Sequence, residues 1–269
     1  MPRFALRNRV STRLWYAGDV PAASQAQRGA VRDRLALRHS GVVRVTHWLT
    51  FFAFLALLVT GVGIVISHPR FYWGEVGNVN TRPLFTLPIP ASRDTVPTGY
   101  HYIMPDMNGW GRYLHFEASW LLVLTGLVYL AYGIFSGHFR NSLIPARGDR
   151  TFRACTERMA AYARLKFTLP KEGGSYNVLQ RLAYIKVIFV LVPLMIWTGL
   201  AMSPAFTSVF PVTAELLGGR QSARTLHFFI TALLVVFVVI HVAMVSISGF
   251  RSRMRAMITG YARRSARDE

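Results

Sequence analysis

Thr225-Leu-His227-Phe-Phe-Ile-Thr-Ala-Leu-Leu-Val-Val-Phe-Val-Val-Ile-His241-Val-Ala-Met-Val-Ser246 is the stretch on which the fold turns. It holds no Asp, Glu, Lys or Arg, and its only ionisable side chains are His227 and His241. A helix needs about 20 consecutive apolar residues to cross a bilayer. Three other stretches meet that need: Val43–Ile66, Tyr113–Phe135 and Leu182–Met202. Glu117 stands near the start of the second, and Pro193 is expected to kink the third, as membrane helices tolerate. The sequence therefore predicts an all-α integral membrane protein, a four-helix transmembrane bundle.

Composition agrees. Hydrophobic residues make up 52% of the 269-residue chain and charged residues 16%, against about 25% charged in a soluble domain. Aromatic residues reach 13%, which excludes a disordered chain. The net charge of +19 could suggest nucleic acid, but position argues otherwise. Basic residues crowd residues 1–44, the loop 136–181 (Arg140, Arg147, Arg150, Arg153, Arg158, Arg164, Lys166, Lys171, Arg181) and the tail after Ser246. Residues 67–110 and 203–224 carry few. The positive-inside rule then places both termini and loop 136–181 in the cytoplasm. The sequence divides into a basic arm (1–40), a transmembrane domain (41–250, outer loop 67–110, inner loop 136–181) and a basic tail (251–269). The arm has no apolar stretch of a secretory signal, and its charge suits anionic lipid. A lone cysteine, Cys155, excludes an internal disulfide, a Cys₄ zinc site and a thiolate iron–sulfur cluster.

Ionisable residues inside spans are costly and mark function by default. Four of the eight histidines, His47, His115, His227 and His241, lie within spans. His47 and His241 fall at the cytoplasmic level, His115 and His227 at the outer level. The fourteen-residue step from His227 to His241 returns to within about 40° of one helix face and spans about 21 Å. One helix thus offers two inward imidazoles, one per leaflet. The pairs His47–His241 and His115–His227 suit axial ligation of two haem irons. Gly61 and Gly126 would let a porphyrin approach the backbone; the dipeptides Thr60-Gly61, Thr125-Gly126 and Thr198-Gly199 repeat in three spans. Arg44, Arg112 and Arg224 each precede a span histidine by three residues, on the same face, and suit haem propionates. Zinc or copper on the imidazoles, a proton relay, or plain packing histidines are the competing readings.

Arg44-Val-Thr-His47-Trp48, His115 and the His227–His241 spacing resemble the four-helix di-haem membrane cytochrome b family. That family includes bacterial cytochrome b561 and the cytochrome b subunits of nickel–iron hydrogenase, formate dehydrogenase and thiosulfate reductase. The resemblance covers residues 38–255. It implies two b haems, His47–His241 inner and His115–His227 outer, that carry electrons between an outer partner and the quinone pool. It also implies a quinone site near the inner haem. There the stretch Tyr176-Asn177-Val-Leu-Gln180-Arg181 matches the family's start of the third span, so Asn177 and Gln180 would contact quinone.

The expected function is a di-haem b subunit in the bacterial inner membrane, not catalytic alone, linking quinone to a periplasmic oxidoreductase of the molybdopterin type. Loop 67–110, with Phe71-Tyr-Trp-Gly-Glu75, is the expected docking surface; an interfacial aromatic belt is the other reading. A stand-alone quinone-linked cytochrome b561 and a haem-free anchor or transporter are the alternatives. His39, His68, His101 and His138 lie outside the spans, with His39 a candidate for handling protons at the inner site.

Overall fold

The computed structural model describes residues 35–78, 80–89, 108–144, 156, 178–247 and 249–263. Four helices in it are long and apolar enough to cross a membrane. Helix α1 (Gly41–Ser67) starts at Ser40, whose Oγ accepts the Val43 N–H at 3.3 Å. That is an N-cap: it satisfies one donor that the first helical turn leaves open. Helix α2 (Asn108–Phe135) ends just before Gly137, which takes a left-handed φ of +68°. Helix α3 comprises Val178–Lys186, a π-helical turn Val187–Leu191, and Val192–Met202. Two short helices, α4 (Pro204–Thr207) and α5 (Val212–Glu215), lead into α6 (Arg220–Ile247). Helix α7 (Phe250–Thr259) follows, set off by Gly249 and Gly260, both at positive φ.

The π-helical turn sits directly before Pro193. Proline has no N–H and its ring crowds the carbonyl four residues back. A wider turn there gives the ring room, so the expected disturbance of the third span takes this form.

Burial is inverted relative to a soluble protein. Large apolar side chains such as Phe52, Val59, Leu124, Leu127, Val236 and Val239 face outward. Small residues (Ala53, Thr60, Thr125, Thr198, Ala201, Ala223) are buried. Without a hydrophobic drive between helices, small residues at contacts let backbones approach and hold the bundle by packing and hydrogen bonds. Among the described residues α1 packs along α2, and α3 along α6, while the two pairs make few close backbone approaches to each other.

Each end of the bundle is closed by chain outside the four spans. At one end, strands β2 (Arg70–Phe71) and β3 (Phe85–Thr86) pair antiparallel and lie over the start of α6. At the basic end, β1 (Leu35–Leu37) pairs antiparallel with β4 (Tyr261–Arg263). Residues 35–37 of the basic arm thus pair with residues 261–263 of the basic tail, and most of α7 falls in that tail. Trp48 Nε1 donates to the Met257 carbonyl at 3.3 Å, and an Arg44 guanidinium N–H donates to the Ile258 carbonyl. These bonds satisfy carbonyls that the last turn of α7 leaves open.

Candidate functional site

The four span histidines meet in the two pairs that their spacing predicts. His115 on α2 and His227 on α6 face each other with ring centroids 6.5 Å apart, tilted by 59°. His47 on α1 and His241 on α6 do so at 6.4 Å and 49°. Helix α6 contributes one histidine to each level.

At the outer level each ring is held by a threonine. Thr60 Oγ1 on α1 lies 2.9 Å from His115 Nδ1, and Thr198 Oγ1 on α3 lies 2.9 Å from His227 Nδ1. A hydroxyl has one proton. Thr60 Oγ1 is 2.7 Å from its own-helix carbonyl at Ala56, and Thr198 Oγ1 is 2.9 Å from that at Leu194. The protons go to those carbonyls, so the oxygens accept from Nδ1–H. Nδ1 therefore carries the proton in both rings, and Nε2 keeps a free lone pair for a metal. The adjoining glycines supply the room: a Cβ at Gly61 would stand 3.5 Å from His115 Cε1, and one at Gly199 3.6 Å from His227 Cε1. Gly61, expected to make room for a porphyrin, lies at the outer level against the imidazole of His115. A Cβ at Gly126 would meet nothing within 4 Å, so that stretch of α2 borders open space.

The inner pair has a different shell. Tyr184 Oη on α3 is 3.5 Å from His241 Nδ1, a long contact. The Phe237 ring stacks on His241 at 5.9 Å, and Trp48 meets His47 edge-on at 5.6 Å. Gln180 lies one turn before Tyr184 on α3 and is half-buried. Residues i and i+4 share a helix face, so Gln180 stands on the face that reaches His241. Asn177 lies outside the described residues. Just beyond the spans at this end, burial pushes the His39 imidazole down to about 4, with the charges of Arg38, His47, His138 and Arg253 acting in the same direction. Burial also lowers His138, whose ring lies 6.0 Å from those of Tyr129 and Tyr132.

Two of the three predicted arginines hold protein carbonyls. Arg44 serves α7 as described. Arg224 donates to the His68 carbonyl, and its guanidinium carbon lies 5.0 Å from the Phe71 ring centroid. A guanidinium is a rigid fork of N–H donors whose geometry matches a carboxylate. Arg112 is exposed in the first turns of α2.

The loop expected to dock a partner is partly spent on α6. Phe71 and Tyr72 are buried, so they are neither an aromatic belt nor a free surface. Phe71 stacks on Phe85 at 4.7 Å and meets Phe228 at 4.6 Å. The Gly74 carbonyl accepts N–H bonds from Gln221 and Ser222 (3.0 and 3.2 Å), and Gly74 N–H donates to Ser222 Oγ at 2.7 Å. Thr225 Oγ1 donates to the Tyr72 carbonyl at 2.7 Å. Glu75 accepts the Arg220 N–H at 2.9 Å. The loop thus satisfies open donors at the start of α6. Trp73 stays exposed, and residues 90–107 lie outside the described residues.

The paired geometry fits an iron held between two imidazoles. With metal–nitrogen bonds of about 2 Å, opposed imidazoles on one metal have centroids about 6.3 Å apart, close to both observed separations. Among the described residues no cluster of three or more His, Cys, Asp or Glu forms. Structural zinc takes four protein ligands, so zinc fits these two-ligand pairs poorly. Open space beside Gly126 and the scant contact between the two helix pairs fit a flat macrocycle between them.

Fold and paired histidines together define a membrane cytochrome of the b type. The pattern of the prokaryotic cytochrome b561 family matches residues 38–260, and the chain belongs to that family. It is 32% identical, over 83% of its length and 96% of the relative's, to a chain of Azospira oryzae named as a protein-methionine-sulfoxide reductase subunit, YedZ1. It is 25% identical, over 94% of its length and 98% of the relative's, to a chain of Cupriavidus necator named as a Ni/Fe-hydrogenase B-type cytochrome subunit. No solved structure matches. Family membership implies haem b, and the chain is a multi-pass membrane cytochrome b of electron transfer.

Sequence reasoning missed Thr60, Thr198 and Tyr184. The repeated Thr-Gly dipeptide was the signal for the first two, but it was read for its glycines alone.

Proposed function

We propose that this chain is a di-haem b subunit that moves electrons across the bacterial inner membrane. It would work between an oxidoreductase partner at the loop end and quinone at the basic end. The observation that carries the reading is the pair of imidazole pairs, 6.5 and 6.4 Å apart, on one shared helix. His115 and His227 would hold the outer haem, His47 and His241 the inner one. Bound haem supplies one-electron chemistry whose potential the surrounding protein tunes. The chain's own work is ligation, orientation and exclusion of water. Arg44, Arg112 and Arg224 would pair with propionates, each within one turn of a ligand histidine, and Gly61 and Gly126 would border the macrocycles.

Quinone would bind at the basic end against Gln180 and Asn177. Gln180 supports this because it shares a face of α3 with Tyr184, which touches His241. The basic residues around that end favour the cytoplasm for it. The partner would be of the molybdopterin type and sit at the opposite end. Both relatives are named as subunits of oxidoreductases, which favours a partner over a stand-alone cytochrome.

The test is a pyridine haemochrome assay with a reduced-minus-oxidised spectrum on the detergent-purified full chain. Two haem b per chain are expected, and about one in either His47→Ala or His115→Ala. Folded wild-type protein without haem would overturn the reading.

A further inference from the structure

The two histidine pairs share a spacing but not a shell. Both outer rings have Nδ1 against a threonine hydroxyl at 2.9 Å, one from α1 and one from α3. Neither threonine lies on the helix of the ring it holds. Thr60 and Thr198 are both buried, and each is anchored to its own helix by a bond to the carbonyl four residues back. At the inner level the closest equivalent is the 3.5 Å contact of Tyr184 with His241.

We propose that Thr60 and Thr198 are positioning residues that set the potential of the outer haem, acting through His115 and His227. This rests on the di-haem reading above. The second partner of a metal-bound imidazole fixes its tautomer and plane and raises its basicity. An imidazole whose Nδ1–H is donated to an oxygen pushes more electron density to the iron. That favours the oxidised iron and lowers the potential. Two such bonds act on the outer iron. Among the described residues the inner pair has no matching threonine, so the hydrogen bonds seen there bias the outer site below the inner one. Such a bias favours electrons travelling from the loop end toward the basic end.

The hydroxyl can be removed with little change of shape. Thr60→Val and Thr198→Val each remove the hydroxyl that accepts one of the two Nδ1–H bonds. A net hydrogen bond is worth a factor of about 2 to 10. The oxidised-to-reduced ratio of the outer haem at fixed ambient potential should fall by up to that factor. Tenfold corresponds to about 59 mV for one electron.

The experiment is a potentiometric titration of the full, haem-loaded chain, with haem counted by pyridine haemochrome. His47→Ala, which keeps only the outer haem, identifies the outer wave. The expected result is two haems in each valine variant, with the outer wave moved to positive potential and the inner wave unmoved. Thr60→Ser and Thr198→Ser should return it. Loss of the outer haem in a valine variant but not in its serine counterpart also supports the hydroxyl's role. Two haems with no shift, or a shift in the inner wave alone, overturns the inference and leaves the di-haem reading standing. Equal losses in the valine and serine variants reduce the threonines to packing and overturn it too. A wild-type chain without haem overturns the reading of function first.

Discussion

The loop end and the basic end of the bundle carry the same ligand chemistry in different frames. At the loop end a folded segment lies on the start of α6, and the two imidazoles are oriented by hydroxyls from α1 and α3. At the basic end a two-stranded ribbon ties residues 35–37, just before α1, to residues 261–263, just after α7, and the imidazoles meet aromatic rings. One end is built to hold its pair in a fixed orientation. The other combines a looser shell with residues that titrate, His39 and His138 among them. Under the function proposed above, that division suits an electron port at one end and proton-coupled quinone chemistry at the other.

The largest break in this comparison should come from Gly219. Its φ is +112°, and a Cβ there would lie 2.5 Å from the Gly74 carbonyl carbon and oxygen. Backbone strain of this kind costs about 1–3 kcal/mol, and the collision with backbone adds to it. Gly219→Ala should therefore lift residues 72–75 off α6. A lowered unfolding midpoint in detergent and selective loss of the outer haem are expected. Unchanged stability with two haems retained would show that the loop does not support the outer site.

A smaller, cleaner cut is Thr225→Val. It keeps the shape of a fully buried side chain and removes the donor to the Tyr72 carbonyl. Leaving a buried acceptor without its bond costs about 1–3 kcal/mol. The unfolding midpoint should fall less than in Gly219→Ala, and limited proteolysis should cut the basic end no faster than in the wild type. If the basic end loosens as much as the loop end, the two ends unfold as one unit and the comparison fails.

The sequence made the spans and the histidine pairs legible because both follow from periodicity along one helix. His227 and His241 need only α6 and the 3.6-residue turn to reveal their common face. Helix α7 was not legible. Its ten residues, Phe250–Thr259, are too few for a span and too basic for a core stripe, so it read as tail. Its bracketing glycines were the only local sign. The loop closure was hidden for another reason. Phe71 and Tyr72 find their partners, Phe228 and Thr225, far along the chain. An aromatic loop beside a membrane reads equally as belt or docking face until those partners are known. The threonine–histidine bonds cross between helices, so the repeated Thr-Gly dipeptide marks the threonines without revealing which ring each one meets.

The smallest effect concerns the basic end and pH. His39 N–H and Arg38 N–H both donate to the Gly260 carbonyl, so the imidazole sits where arm and tail join. Its pKa in the fold lies at about 4, below the ordinary 6.5, chiefly through burial. Between those values the unfolded chain binds the proton more readily than the folded one, so acid favours unfolding. The stabilising effect of neutral His39 is complete above pH 6.5 and is lost as pH falls to about 4. Asparagine at this position cannot titrate. Thermal unfolding of wild type and His39→Asn, followed from pH 7 to pH 4, should shift in the variant's favour across that window. The facing groups Arg38, His47, His138 and Arg253 are present in both chains, apart from their response to the substitution, and cancel to first order. A difference between the two chains that stays constant with pH would mean that His39 does not titrate in the junction, and the basic end would then owe its pH response to His138 instead.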